Sequence, residues 1–423
     1  MHRHARFWFF ALLVCLLAAR AAGAAETAGP KPADLWTGDW LTVCDNTGSC
    51  RTAGYNADGA ERLITLSFYR EAGAQAKVAG LWFAIYRGSD EPLPEGGSLR
   101  IDGKPLTRNE ILTPQEIAAL LEALKRGSSI TWAAEGGPVW QLSSNGALAA
   151  LRFMDDYQQR SGTPSALIDK GRSRRPVRAP AAVPKIQAAA ATAREQRRVL
   201  AHSDPQFAAL REMLEKKENA NKWRLDGCDV FSHDEWRTIT LDPLTSNLTL
   251  AEIPCAHTGF NSHNAYAVLT RDLNHVVDVI DSHITNDYGL DEQGVLTITG
   301  YWKETAPGDG QSWETWVWTG RRFVLASKSN SSMASGFDGF AGIPPLEFTQ
   351  YTSQVLPPKK KRRSGKPSRP HIRMVWAINR AQRLLLAGAP FSLPLPDFRR
   401  ANAATAAIFH AASHGKSRVH ALA

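Results

Sequence analysis

The chain has 423 residues, of which 43% are hydrophobic and 22% charged. That is too apolar for an intrinsically disordered protein, and at roughly 100–200 residues per domain the length suggests two or three domains. Collagen-like and coiled-coil classes are excluded, because 32 Gly and 24 Pro carry no repeat and there are no heptads. A polytopic membrane protein is excluded because the one long apolar run sits at the N-terminus.

Residues 1–24 read as an export signal. His2, Arg3 and Arg6 form a basic start, residues 7–19 an apolar stretch, and Ala22-Gly23-Ala24 a small-residue cleavage motif, so the cut is expected before Ala25. The apolar stretch falls short of the roughly 20 residues a spanning helix needs. Cys15 follows Val14 inside it, which does not suit a lipidation site. The mature protein is therefore expected to be exported.

Four cysteines remain: Cys44, Cys50, Cys228 and Cys255. An even number in an exported chain implies disulfides, and sequence proximity favours Cys44–Cys50 and Cys228–Cys255 among the three possible connectivities. Closing these loops stabilises by about 2.4 and about 3.6 kcal/mol in the chain-entropy model. Zinc is the rival reading, but the spacings lack the close pairs of zinc ribbons, so no metal is expected.

Taken in chain order, the first elements are strands. Residues 36–50 alternate, with Trp40, Thr42 and Cys44 on one face and Leu41 and Val43 on the other. Strands follow at residues 63–69 and 78–86, then a strand and tight turn over 99–103. A helix begins at Thr113 as cap, with Pro114 at its first position and Glu116 completing a capping box. Ile117, Leu120, Leu121 and Leu124 form its apolar stripe, and Gly127 ends it. Strands at 130–134 and 139–142 and a helix over 146–157 complete an N-terminal domain, residues 31–170. A Pro/Ala-rich linker, residues 171–200, contains Pro176, Pro180 and Pro184 and an Ala-rich helical stretch over 186–200. The C-terminal β-rich domain, residues 201–355, opens with a helix from Ser203 to about residue 218. Strands are expected over 238–241, 248–253, 265–269, 276–280 and 295–301. A hairpin of 313–318 and 323–325 turns at Thr319-Gly320, and residues 336–355 close irregularly. The fold class is thus α+β and β-rich: two small sheet domains, each with one or two helices, joined by a Pro-rich linker.

Residues 356–423 form a basic tail, expected to be disordered. It holds 14 Lys+Arg and one acid, Asp397, a net of +13 against +9 for the whole chain. Subtraction leaves −4 before residue 356, and −7 once Arg3, Arg6 and Arg20 leave with the signal. Basicity therefore describes the tail alone, and no nucleic-acid partner is expected. Lys359, Lys360, Lys361, Arg362 and Arg363 are candidates for contact with anionic lipid or lipopolysaccharide. The prolines at 390, 394 and 396 argue instead for a plain solvated extension.

Four groups of residues resemble a known bacterial family. They are Gly38-Asp39-Trp40-Leu41-Thr42-Val43-Cys44-Asp45-Asn46 with Cys50 and Gly54-Tyr55; Leu142-Ser143 and Gly146 with Met154-Asp155-Asp156, Gln159-Arg160 and Ser165-Ala166-Leu167; Ile253-Pro254-Cys255 with Gly259-Phe260-Asn261; and Trp316-Val317-Trp318-Thr319-Gly320 with Phe323-Val324-Leu325. In this order they are similar to the exported proteins of domain of unknown function 1176. The first half also looks like the invasion-associated locus B family. The resemblance implies a Gram-negative periplasmic protein and carries no catalytic residues. The family usually has two further cysteines, where this chain has Gly308-Asp309-Gly310 and Ser335-Gly336.

No nucleophile elbow, zinc-protease helix motif, P-loop or dinucleotide fingerprint is present. His257, Asn261 and His263 form the densest polar stretch, but the spacing of the two histidines suits neither one helix face nor a common zinc pattern. Adjacent Asp155 and Asp156 point apart on a helix, which suits one core-facing and one solvated residue better than an acid pair. Trp313, Trp316 and Trp318 are candidates for stacking on a sugar or partner, although the core of a small sheet uses the same residues. Site residues are therefore sought among Trp313, Trp316, Trp318, His257, Asn261 and His263, with no catalytic residue and no cofactor. The expected function is a non-enzymatic periplasmic binding or envelope-associated protein. A hydrolase acting on an envelope polymer is the alternative.

Overall fold

Apolar–polar alternation builds two antiparallel strands in the computed structural model, β1 (Ala33–Thr37) and β2 (Trp40–Cys44), where one was expected. Gly38, at φ +54, turns the chain between them. The structure describes residues 29–57, 62–86, 93–190, 197–215, 238–257, 259, 261–280, 282–304, 310–331 and 346–358. All of them fall in one unit, residues 1–363. Residues 1–24, Cys228 and residues 359–363, on which several expectations rest, lie outside the described residues.

β3 (Cys50–Tyr55), β4 (Arg62–Arg70) and β5 (Val78–Tyr86) extend the sheet in sequence order. Cys44 and Cys50 are register partners and form the expected disulfide. Cys255 is also engaged in a disulfide. β2 is buried on both faces, and the alternation explains how. Trp40 and Cys44 face the larger core, while Leu41 and Val43 join a second cluster with Phe348 from the C-terminal half.

A smaller sheet consists of β6 (Ser98–Ile101), β7 (Lys104–Thr107), β8 (Ile130–Ala133) and β9 (Val139–Gln141), in the order β7-β6-β8-β9. Between β7 and β8 runs α1 (Pro114–Arg126). Thr113 and Glu116 form the capping box, Gly127 takes the left-handed conformation at the end, and the predicted apolar stripe is buried. α2 (Ala147–Tyr157) follows β9.

Two glycines of the resembling motifs owe their identity to close approach. A Cβ on Gly54 would lie 2.0 Å from the Trp40 ring, and one on Gly146, at φ +88, would lie 1.8 Å from the Thr37 carbonyl. The Trp40 indole donates to the Ser143 carbonyl, Ser143 N–H to Tyr55, and Tyr55 N–H to Asp39. The first two motif groups therefore form one packed corner.

Beneath that corner lies a buried polar network. Arg70, Asp155, Gln158 and Arg160 are each at most 1% exposed. Arg70 Nη2 meets Asp155 Oδ1 at 2.6 Å, and Arg70 Nε donates to Gln158 Oε1 at 2.6 Å. The second Asp155 oxygen accepts the N–H groups of Leu167 and Ile168. Arg160 donates to Gln158, Ser165 and the Gly73 carbonyl, and burial, then the neighbouring Arg70, pulls its guanidinium down to about 10. Asp156, by contrast, is exposed.

Residues 171–184 lie extended along the first sheet and bond to it: Gly73 N–H donates to Arg178, and Ala181 N–H to Thr47. The helix expected over 186–200 is replaced by two short strands, β10 (Lys185–Gln187) and β11 (Arg198–Leu200), with residues 191–196 outside the described set. Strand pairing overrides the helix propensity of alanine here. α3 (Pro205–Glu215) buries Phe207, Leu210 and Leu214.

A third sheet runs β11-β12-β13-β14-β15, adding β12 (Ile239–Pro243), β13 (Leu248–His257), β14 (Ser262–Thr270) and β15 (Val276–Val279). A fourth runs β16 (Thr285–Leu290), β17 (Leu296–Lys303), β18 (Gln311–Trp318), β19 (Phe323–Ser331) and β20 (Glu347–Thr352). Where an irregular close was expected, β20 and β21 (Gln354–Leu356) are ordered strands, and β21 pairs in parallel with β10. The Asn46 side chain bonds both the N–H and the C=O of Thr352, tying β20 to the first hairpin. No helix among the described residues is long and apolar enough to cross a membrane.

Removing one member of the Arg70–Asp155 pair strands a buried charge. Arg70→Met or Asp155→Asn alone is expected to lower the unfolding free energy by about 3–5 kcal/mol in urea titrations. The double variant Arg70→Met/Asp155→Leu is expected to lose less than the sum. Strict additivity would show that the two groups do not act together.

Candidate functional site

The third and fourth sheets share a core made by Leu250, Tyr266 and Val268 on one side and Tyr288, Ile298, Trp318 and Phe323 on the other. The period-2 alternation of β18 sends Trp316 and Trp318 to this inner face. Trp318 is 0% exposed and packs on Phe323 at 5.2 Å between ring centroids. Trp316 is partly buried and donates its indole N–H to Glu314. Both therefore serve the core.

The outer face of the same strands differs. Thr299, Tyr301 and Lys303 of β17 lie opposite Thr315, Trp313 and Gln311 of β18. All six are partly buried, with Ser327 exposed beside Thr315. Tyr301 and Trp313 are register partners whose rings lie 6.1 Å apart, tilted by 37°. The Trp313 indole N–H, like those of Trp132, Trp302 and Trp318, has no hydrogen-bond partner among the described residues, whereas Trp36, Trp40, Trp82, Trp140 and Trp316 donate theirs within the protein. Trp313 thus presents a partly exposed ring and an uncommitted donor.

The histidine stretch reaches the same corner through its asparagine. Asn261 is 7% exposed, donates to the Lys303 carbonyl at 2.7 Å and accepts the Lys303 N–H at 2.8 Å. It clamps the end of β17 two residues beyond Tyr301. His263 is turned elsewhere. Its Nε2 lies 3.2 Å from the Ser282 carbonyl and its ring 6.3 Å from that of His283. Burial, more than the neighbouring His283, holds the His263 imidazole below the usual histidine range. The side chain of His257 lies outside the described residues. Among the described residues no group of three or more His, Cys, Asp or Glu side chains could hold a metal.

A second polar cluster escaped sequence reading. Arg197 bridges Asp242 at 3.1 Å and Glu252 at 3.3 Å, while Tyr266 O–H and Asn264 donate to the other Glu252 oxygen. Burial raises the Glu252 carboxyl, opposed by its Tyr266 hydrogen bond and by Arg197. The available signal was parity: Leu248, Leu250 and Glu252 share one strand face, so a charge falls where an apolar residue is due. An open cleft of about 290 Å³ between α1 and the loop after β9 is lined by Ser128, Ser129, Gln141 and Ser143. Ser129 donates to Gln141 and Ser143 to Asp39, and no titratable group lines the cleft.

A family model described as "Protein of unknown function (DUF1176)" matches residues 37–340, more than two thirds of the chain. The chain is also similar to "Uncharacterized protein YpfG" of Escherichia coli (strain K12), 27% identical over 256 residues, which is 57% of this chain and 68% of that relative. No solved structure matches.

Because the folded state depresses His263, its contribution to stability is complete above pH of about 6.5 and is lost as pH falls through the lower folded value. His263→Gln is expected to flatten the fall in unfolding free energy on acidification below that point. An unchanged slope in denaturant titrations across pH 7 to 5 would show that another group carries it.

Proposed function

The chain belongs to the DUF1176 family, and from that premise we propose that it is an exported periplasmic binding protein whose open sheet face takes a sugar polymer of the cell envelope. One observation carries the reading: the partly exposed Trp313, its indole N–H uncommitted, paired with Tyr301 on a hydroxyl-bearing face. The apolar C–H face of a pyranose stacks on an indole, and ring hydroxyls meet donors and acceptors such as Trp313 N–H, Thr299, Thr315 and Ser327. Small-molecule sites are concave, so an open strand face suits a polymer laid across it rather than a single sugar. The Cys44–Cys50 disulfide supports an oxidising compartment, as does the signal-like N-terminus.

The hydrolase reading draws on Glu252, whose raised carboxyl is the kind of group an acid catalyst uses. Against it, Asp242 and Glu252 share the Arg197 guanidinium and turn inward with Tyr266. Sedimentation with envelope polysaccharide fractions separates the two readings. Trp313→Ala is expected to weaken binding by about tenfold, or about 1.4 kcal/mol. Glu252→Gln is expected to leave binding unchanged. Wild-type binding by Trp313→Ala, or new reducing ends released by the wild type but not by Glu252→Gln, would overturn the proposal.

Export has its own test. Protein released by osmotic shock is expected to begin at Ala25, with Cys44 and Cys50 refractory to alkylation until reduced. An intact Met1 in the purified product would contradict it.

A further inference from the structure

We infer that the polymer bound at the Trp313–Tyr301 face carries anionic substituents, carboxylate or phosphate, and that Lys303 recognises them; this rests on the binding reading above. Lys303 follows Tyr301 by two residues on the same strand face and lies opposite Gln311. At about 3.3 Å of rise per residue, its Cα lies about 7 Å from that of Tyr301, within reach of a group on a sugar stacked at the aromatic pair.

Two features bear on this lysine. Its ammonium, like those of Lys31, Lys77, Lys104, Lys170 and Lys185, has no acidic partner among the described residues. Lys328, on the neighbouring β19, is neutralised by Glu314 at 2.7 Å. Its backbone, moreover, is held at both N–H and C=O by the buried Asn261 side chain. The result is a cation with a fixed root and an unpaired head, two residues beyond the partly exposed Tyr301–Trp313 pair. Two acids lie near it. Glu304 accepts from Ser312, and the exposed Asp287 is the register partner of Thr299, four residues back along β17. Asn261 is thus a positioning residue that acts through Lys303.

The test uses the full mature chain and three polymers of one backbone: dextran, carboxymethyl-dextran and dextran phosphate. To separate out any binding by the basic tail, affinity is read as the component lost in Trp313→Ala. Wild type is expected to favour one or both anionic dextrans by about threefold to fivefold in that component. Lys303→Gln is expected to abolish the preference while keeping affinity for dextran itself, and Lys303→Arg to retain it. Whichever of the two anionic polymers is favoured identifies the substituent. A preference that survives in Lys303→Gln overturns the inference and leaves the binding reading standing. Equal binding of all three polymers by wild type and Trp313→Ala overturns the binding reading itself.

Discussion

One buried ion pair anchors the second helix to the first sheet. Arg70 ends β4 and Asp155 lies on α2, so their contact at 2.6 Å joins the helix to the first sheet, alongside the bonds from Thr42 to the Ala150 carbonyl and from Tyr157 to the Asp45 carbonyl. Charges at most 1% exposed are tolerated only when paired and fully hydrogen-bonded. Gln158, Ser165 and the N–H groups of Leu167 and Ile168 meet that demand. Those partners in turn shape the chain after α2, which continues along the first sheet to β10. β10 pairs with β21, and Asn46 bonds Thr352, so the order imposed at Arg70 reaches the last strands of the body.

That continuity bears on the fourth sheet. Its inner face is sealed by Trp318, Ile298 and Phe323, and the end of its outer face nearest β10 and β21 is covered by Ile186, Ala188 and Val355 around Val317. The far end carries Tyr301, Trp313 and Lys303. Alternation along β17 and β18 divides core from open face, so Trp316 and Trp318 become structural while Trp313, three residues before Trp316, is left outward.

Much of this was legible in the residues. Thr113, Pro114, Glu116 and Gly127 punctuate α1 with local chemistry, and local chemistry survives any tertiary context. The alternation of β2 revealed which residues face each way, and the hairpin of β18 and β19 followed from its Trp-rich run and Thr319-Gly320 turn. The Ala-rich stretch after Pro184 was misread as helix because its partner, β21, lies some 170 residues downstream. Among the candidate residues, Trp313 and Asn261 converge on one corner, while Trp318 and His263 are committed elsewhere. Lys303, Tyr301 and the Arg197–Glu252 cluster were missed, since only strand register brings them beside their neighbours.

The central proposal is that the outer face at Trp313 receives ligand and the core tryptophans do not. Indole N–H resonances report each ring separately in a nuclear magnetic resonance titration with an oligosaccharide cut from the bound polymer. The Trp313 resonance is expected to move with saturating dependence on ligand while those of Trp40 and Trp140 stay fixed. A titration that moves Trp40 or Trp140 and leaves Trp313 in place would contradict it.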